Sequence, residues 1–223
     1  MEEIFTDKYI EKQIASSPED WFRYLKNLNP KTVSIYNSAN HSTENARMTT
    51  AFVGGGVRWS IEVVLNDGSS EIWNSKWEIW NRNSPEKRLW EVQYHSDKRA
   101  ETAKIHSPTV SYAKNLLKES LEEIAHFAKN NSLENFQNLF LEALDTINSN
   151  GANLHGYHRD LYPNEFTSID TIVLLDACQK ASVFGGMGSW NDIGSCGDMA
   201  TYKRVSDNLY NSINVAIESA VNN

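Results

Sequence analysis

The chain has 223 residues, 40% of them hydrophobic and 22% charged, with 29 acidic against 21 basic side chains and a net charge of −8. That apolar content supports a sizeable core and excludes a disordered chain. The acidic balance argues against nucleic acid as the main partner, because phosphate binding needs a basic surface. No apolar run approaches the roughly 20 residues that cross a bilayer.

The N-terminus, Met1 to Phe5, is acidic and lacks the apolar core of a signal peptide, so the expected compartment is the cytoplasm. Free thiols are then expected at Cys178 and Cys196. Phe5, Tyr9, Ile10 and Ile14 are spaced for one face of a short helix. Ser17-Pro18-Glu19-Asp20 starts a second: serine caps free N–H groups, proline fits the first turn, and acids favour the positive helix end. Trp21, Phe22, Tyr24, Leu25 and Leu28 form its apolar stripe, and Asn29-Pro30 ends it.

Residues 32–95 read as a five-stranded β-meander. Val33 and Ile35 alternate in the first strand, and Met48, Thr50 and Phe52 in the second. Gly54-Gly55-Gly56 is placed as the hairpin into the third strand, Trp59 to Leu65. Asn66-Asp67-Gly68 signals a tight turn. Trp73, Trp77 and Ile79 share a face of the fourth strand, and Trp90, Val92 and Tyr94 alternate in the fifth. Short connections predict antiparallel pairing.

Beyond residue 100 the apolar period lengthens to that of a helix. One helix starts at Ser107-Pro108 and a second at Ser132. A third, apolar on most sides, runs from Ile169 to Phe184, and a last one from about Met199 to Ala220. The expected architecture is α+β: an antiparallel five-stranded β-meander, preceded by a short helical pair and followed by a bundle of about four helices. Residues 1–100 and 101–223 form its two parts, packed as one unit.

The densest local signal is Gly185-Gly186-Met187-Gly188-Ser189-Trp190-Asn191-Asp192. Gly185 is placed to cap the preceding helix, with positive φ expected at Gly185 or Gly186. Successive N–H groups there could bind an anion, but phosphate loops precede a helix, and this stretch follows one. As a contact loop it offers Trp190, Asn191 and Asp192. The octapeptide resembles the Gly-Gly-Met-Gly-Ser-(aromatic or Leu)-Asn-Asp signature of a group of small bacterial proteins, some found in toxin–immunity settings. The likeness covers roughly residues 168–220; it departs at Gly194 to Asp198, where an apolar extended segment is expected. It implies a bacterial, intracellular protein and carries no activity over.

His155-Gly156-Tyr157-His158-Arg159-Asp160 is the candidate metal segment: on a helical turn His155 and His158 share a face, and Asp160 could complete a zinc or iron site. Gly156 and Pro163 weaken that geometry. No nucleophile elbow, zinc-protease motif or dinucleotide fingerprint is present. Among the tryptophans of the sheet region, Trp80 alternates away from Trp73 and Trp77 and is a candidate surface contact.

Two functional classes follow. The first is a non-enzymatic protein-binding module, with a basic protein such as a toxin as the partner of an acidic surface beside exposed aromatics, and no cofactor. The second is a metal-dependent or nucleotide-processing enzyme built on His155, His158 and Asp160.

Overall fold

A side-chain cap fixes where the first helix begins, and a left-handed residue donating its backbone N–H fixes where it ends. The computed structural model describes residues 12–38, 43–87, 89–99, 107–149, 167–194 and 197–223. Ser17 accepts from the Asp20 N–H ahead of α1 (Pro18–Leu28), and Asn29, at φ 49°, closes it by donating to the Leu25 and Lys26 carbonyls. Of the helix expected over Phe5 to Ile14, residues 1–11 lie outside the described residues, and Ile14 belongs to no helix.

The sheet has four strands, not five. β1 (Thr32–Asn37), β2 (Trp59–Val64), β3 (Ser70–Ile79) and β4 (Trp90–Arg99) pair antiparallel in chain order. Where Met48, Thr50 and Phe52 predict a strand, the chain forms a short helix, α2 (Thr43–Thr49), followed by turns. Three alternating residues are a weak periodic signal, and tertiary contacts override it. Ala46 and Arg47 are buried, Glu44 pairs with Lys203 at 2.7 Å, and Thr43 donates to Asn211 at 3.2 Å. Gly54-Gly55-Gly56 therefore links a helix to a strand and is no hairpin. At Gly55 a Cβ would sit 1.9 Å from the Thr49 carbonyl oxygen, so only glycine lets the chain fold back on the end of α2.

Four further helices are described: α3 (Val110–Asn130), α4 (Glu134–Asn148), α5 (Ile169–Ala181) and α6 (Met199–Asn222), making six in all. Thr109, Ser168 and Asp198 cap α3, α5 and α6 through their side-chain oxygens. Ser132 does not cap α4; it sits at φ 56° in a tight helix–helix turn, and Leu133 takes the cap position. The architecture is α+β with one main core, made by Leu117, Leu121, Ile124, Phe140, Leu174, Leu209, Ile213 and Trp190 among others. A smaller core joins α1 to the sheet through Leu25, Val63 and Trp73.

α6 ties the helices to the sheet. Asn222 Oδ1 accepts from the Ile35 N–H at 2.9 Å, and its Nδ2 donates to the Ile35 carbonyl at 2.7 Å. Glu218 accepts from the Asn37 N–H at 3.1 Å. No helix among the described residues is long and apolar enough to cross a membrane.

Candidate functional site

The glycine-rich octapeptide is a clamp between helices. α5 stops at Ala181, before the glycines, and Ser182 satisfies its end by donating to the Cys178 carbonyl at 2.8 Å. The positive φ falls on Gly188, at 84°, and on neither Gly185 nor Gly186. That turn lets the Gly188 N–H donate to the Asp192 carboxylate. Ser189 donates to the Gly185 carbonyl at 3.2 Å and caps a single 3-10 turn, Trp190–Asp192.

Trp190 is a core residue, not a contact residue. It is 0% exposed, with Phe136 and Phe140 edge-on at 5.2 Å and Tyr202 stacked at 5.6 Å. Its indole N–H donates to Ser206 at 2.7 Å, and its carbonyl accepts from the Tyr202 hydroxyl at 2.6 Å. Asn191 is engaged with α2, where it accepts from Arg47 Nη1 at 2.7 Å and donates to the Arg47 carbonyl at 3.0 Å. Arg47, 2% exposed, also donates to Asp207 at 3.0 Å. Of the octapeptide's polar tip, Asp192 stays exposed, as does Met187.

His155, His158 and Asp160 lie outside the described residues, as does Cys196. Among the described residues no group of three His, Cys, Asp or Glu side chains could hold a metal ion. Cys178 is free and buried, and burial pushes its thiol well above the ordinary range, which suits a small apolar filler. His126, on α3, lies 2.9 Å from the Asn130 side-chain amide.

The exposed chemistry is on the β3–β4 hairpin. Strand alternation puts Trp73, Ser75, Trp77 and Ile79 on one sheet face. Register adds Ser96, Tyr94, Val92 and Trp90 directly opposite them. α1 covers only one end of that face. Trp21 and Tyr24 pack edge-on against Trp73, at 5.7 and 6.2 Å. A helix of 11 residues is about 16 Å long, whereas a ten-residue strand runs about 33 Å, so the far half of the hairpin lies beyond its reach. Trp73 is 6% exposed and Trp77 45%, and Ile79, Trp90, Val92 and Tyr94 are exposed with it. The loop before β2 borders this strip: a Cβ at Gly54 would lie 3.5 Å from the Trp77 ring, and Phe52 and Val53 beside it are exposed.

Trp80, next to the strip, is 64% exposed. The opposite face of the hairpin is polar, with Lys76 paired to Glu78 at 2.5 Å and Glu91 across from Glu78. Residues 76–99 hold six basic and four acidic side chains, a local charge of +2 in a chain at −8. Sequence reasoning singled out Trp80, which alternates to the opposite face, and not the strip beside it, because alternation shows which residues share a face and not where the covering helix stops.

The chain matches no family model, no curated protein and no solved structure.

Proposed function

We propose that this protein works as a non-enzymatic binding module whose ligand is another protein, engaged through the uncovered face of the β3–β4 hairpin. The observation that carries this reading is the contiguous strip of Trp77, Ile79, Trp90, Val92 and Tyr94, left open beyond the end of α1. Exposed apolar patches of several hundred Å² mark contact sites, and Trp and Tyr carry much of the binding energy at such sites. A basic partner, such as a toxin held in check, is the case that the chain's charge of −8 favours. With residues 76–99 summing to +2 in the sequence, that attraction is long-range steering by the rest of the molecule, while the strip supplies the short-range contact.

The test is site-specific photo-crosslinking in the source cells. A photoreactive residue in place of Ile79, within the strip, should yield a discrete adduct with another protein, and one in place of the similarly open Tyr112 on α3 should not. Equal adducts from both positions, or none from position 79, would remove the hairpin from the function.

A further inference from the structure

The two edges of the sheet differ. The outward backbone groups of β1 are taken by Asn222 and Glu218 of α6. Among the described residues β4 has no such cover. One bond shows which of its groups point outward. The Trp80 N–H donates to the Leu89 carbonyl at 2.9 Å, which makes Trp80–Leu89 a hydrogen-bonded pair. In an antiparallel ladder such pairs alternate, so Glu78–Glu91, Lys76–Gln93 and Asn74–His95 are bonded pairs too. The backbone N–H and C=O groups of Trp90, Val92 and Tyr94 therefore point away from β3, off the sheet. These residues also carry the exposed side chains of the strip. A bare edge of alternating apolar residues is a template for another strand.

The geometry points to a second copy of this chain as the occupant, with β4 pairing antiparallel to its counterpart about a two-fold axis at Val92. Val92 then faces the partner's Val92, and Trp90 faces the partner's Tyr94. Each of these pairs exchanges the outward N–H···O bonds that are otherwise unmade. Aromatic and β-branched cross-strand pairs are favourable ones. Between them Glu91 falls opposite the partner's Gln93. An axis at Glu91 would set that carboxylate against its own copy, which the Val92 axis avoids. The pairing is isologous and closes after two copies.

This inference rests on the reading of the strip as a protein-contact surface, and it extends that surface. Pairing in the plane of the sheet leaves the face open and joins the two strips into one continuous apolar platform for a further partner.

Sedimentation equilibrium of the full chain should give twice the monomer mass of 25.3 kDa in the micromolar range. Val92→Lys and Val92→Glu should each be monomeric, because each places like charges face to face on the axis. Mixing the two should restore a dimer containing one chain of each. Val92→Pro should also be monomeric with an unchanged circular dichroism spectrum, since it removes an outward N–H and leaves the β3 ladder intact. A monomeric wild type would overturn the pairing, as would a Val92→Lys chain that still dimerises. Either result, with the adduct from position 79 still formed to another protein, would leave the proposed function standing. A dimer of the predicted register with no such adduct would do the reverse.

Discussion

Asn191 holds Arg47 by both ends of its amide, across 144 positions of sequence: its oxygen accepts from the guanidinium at 2.7 Å, and its nitrogen donates to the Arg47 backbone carbonyl at 3.0 Å. Asp207 takes the guanidinium from the other side, and the rings of Phe184 and Tyr202 lie 5.9 and 6.0 Å from its carbon. The loop after α5 and the N-terminal segment between β1 and β2 are fastened together at this point. Asn191→Ala leaves a buried guanidinium short of one partner and should cost about 1–3 kcal/mol in urea denaturation. Arg47→Lys should cost a similar amount, because an ammonium lacks the planar fork that reaches both acceptors. An Asn191→Ala chain that unfolds at the wild-type midpoint would show the clamp to be idle.

Trp190 is the centre of the main core, so its loss should be among the most damaging single changes. Trp190→Ala is expected to cost about 3–5 kcal/mol, as truncations of large buried aromatics do. Tyr202→Phe keeps the stacked ring and removes the hydroxyl's bond to the Trp190 carbonyl, with an expected cost of about 1 kcal/mol. Calorimetry ranks the two. If Tyr202→Phe proved the more damaging, the hydrogen bond and not the ring packing would be the main fastening.

The glycines of the octapeptide should separate cleanly. Gly188 has φ 84°, and Gly186 has no positive φ, and neither has a heavy atom within 4 Å of an added Cβ. Gly188→Ala should therefore destabilise through backbone strain alone, by about 1 kcal/mol, while Gly186→Ala should be neutral. Thermal melts of both variants decide this, and equal shifts would contradict the assignment of the turn to Gly188.

Tyr24 should titrate late. Burial, followed by the neighbouring Glu71 carboxylate that accepts its hydroxyl, pushes its phenol up to about 12 from the ordinary 10.0. Between those values the folded chain keeps a proton that the unfolded chain has released. The stabilisation is thus complete below pH 10 and is lost as pH rises through about 12. Phenolate absorbance should show one late-titrating tyrosine that disappears in Tyr24→Phe. That variant should also have a flatter stability profile over the same window. An unchanged titration curve would place the late phenol elsewhere.

Sequence periodicity made much of this molecule legible, and its failures have physical causes. The 3.6-residue pattern marks α3 and α6 because each buries a continuous stripe, α5 stands out because it is apolar on most sides, and alternation marks β3 and β4 because both are long. α2 was missed because seven residues give fewer than two turns of pattern, and its stability comes from Arg47 reaching partners far along the chain. The octapeptide advertised a special backbone but not its direction. Trp190, flanked by glycine-rich and polar residues, reads locally as a loop aromatic, and only the arrival of Phe136, Phe140 and Tyr202 makes it core. The candidate face was half legible: Trp77 and Trp90 were on the page, but the length of α1 relative to the hairpin decides that they are uncovered.

The central claim is that the strip acts through contact and not through stability. It is tested by repeating the crosslinking from position 79 with Trp77→Ser and Trp90→Ser introduced together. Both side chains are more than 40% exposed, so the variant should unfold close to the wild-type midpoint. The account predicts that the adduct with the other protein disappears while the fold is retained. An adduct formed at wild-type yield by this folded variant would contradict it.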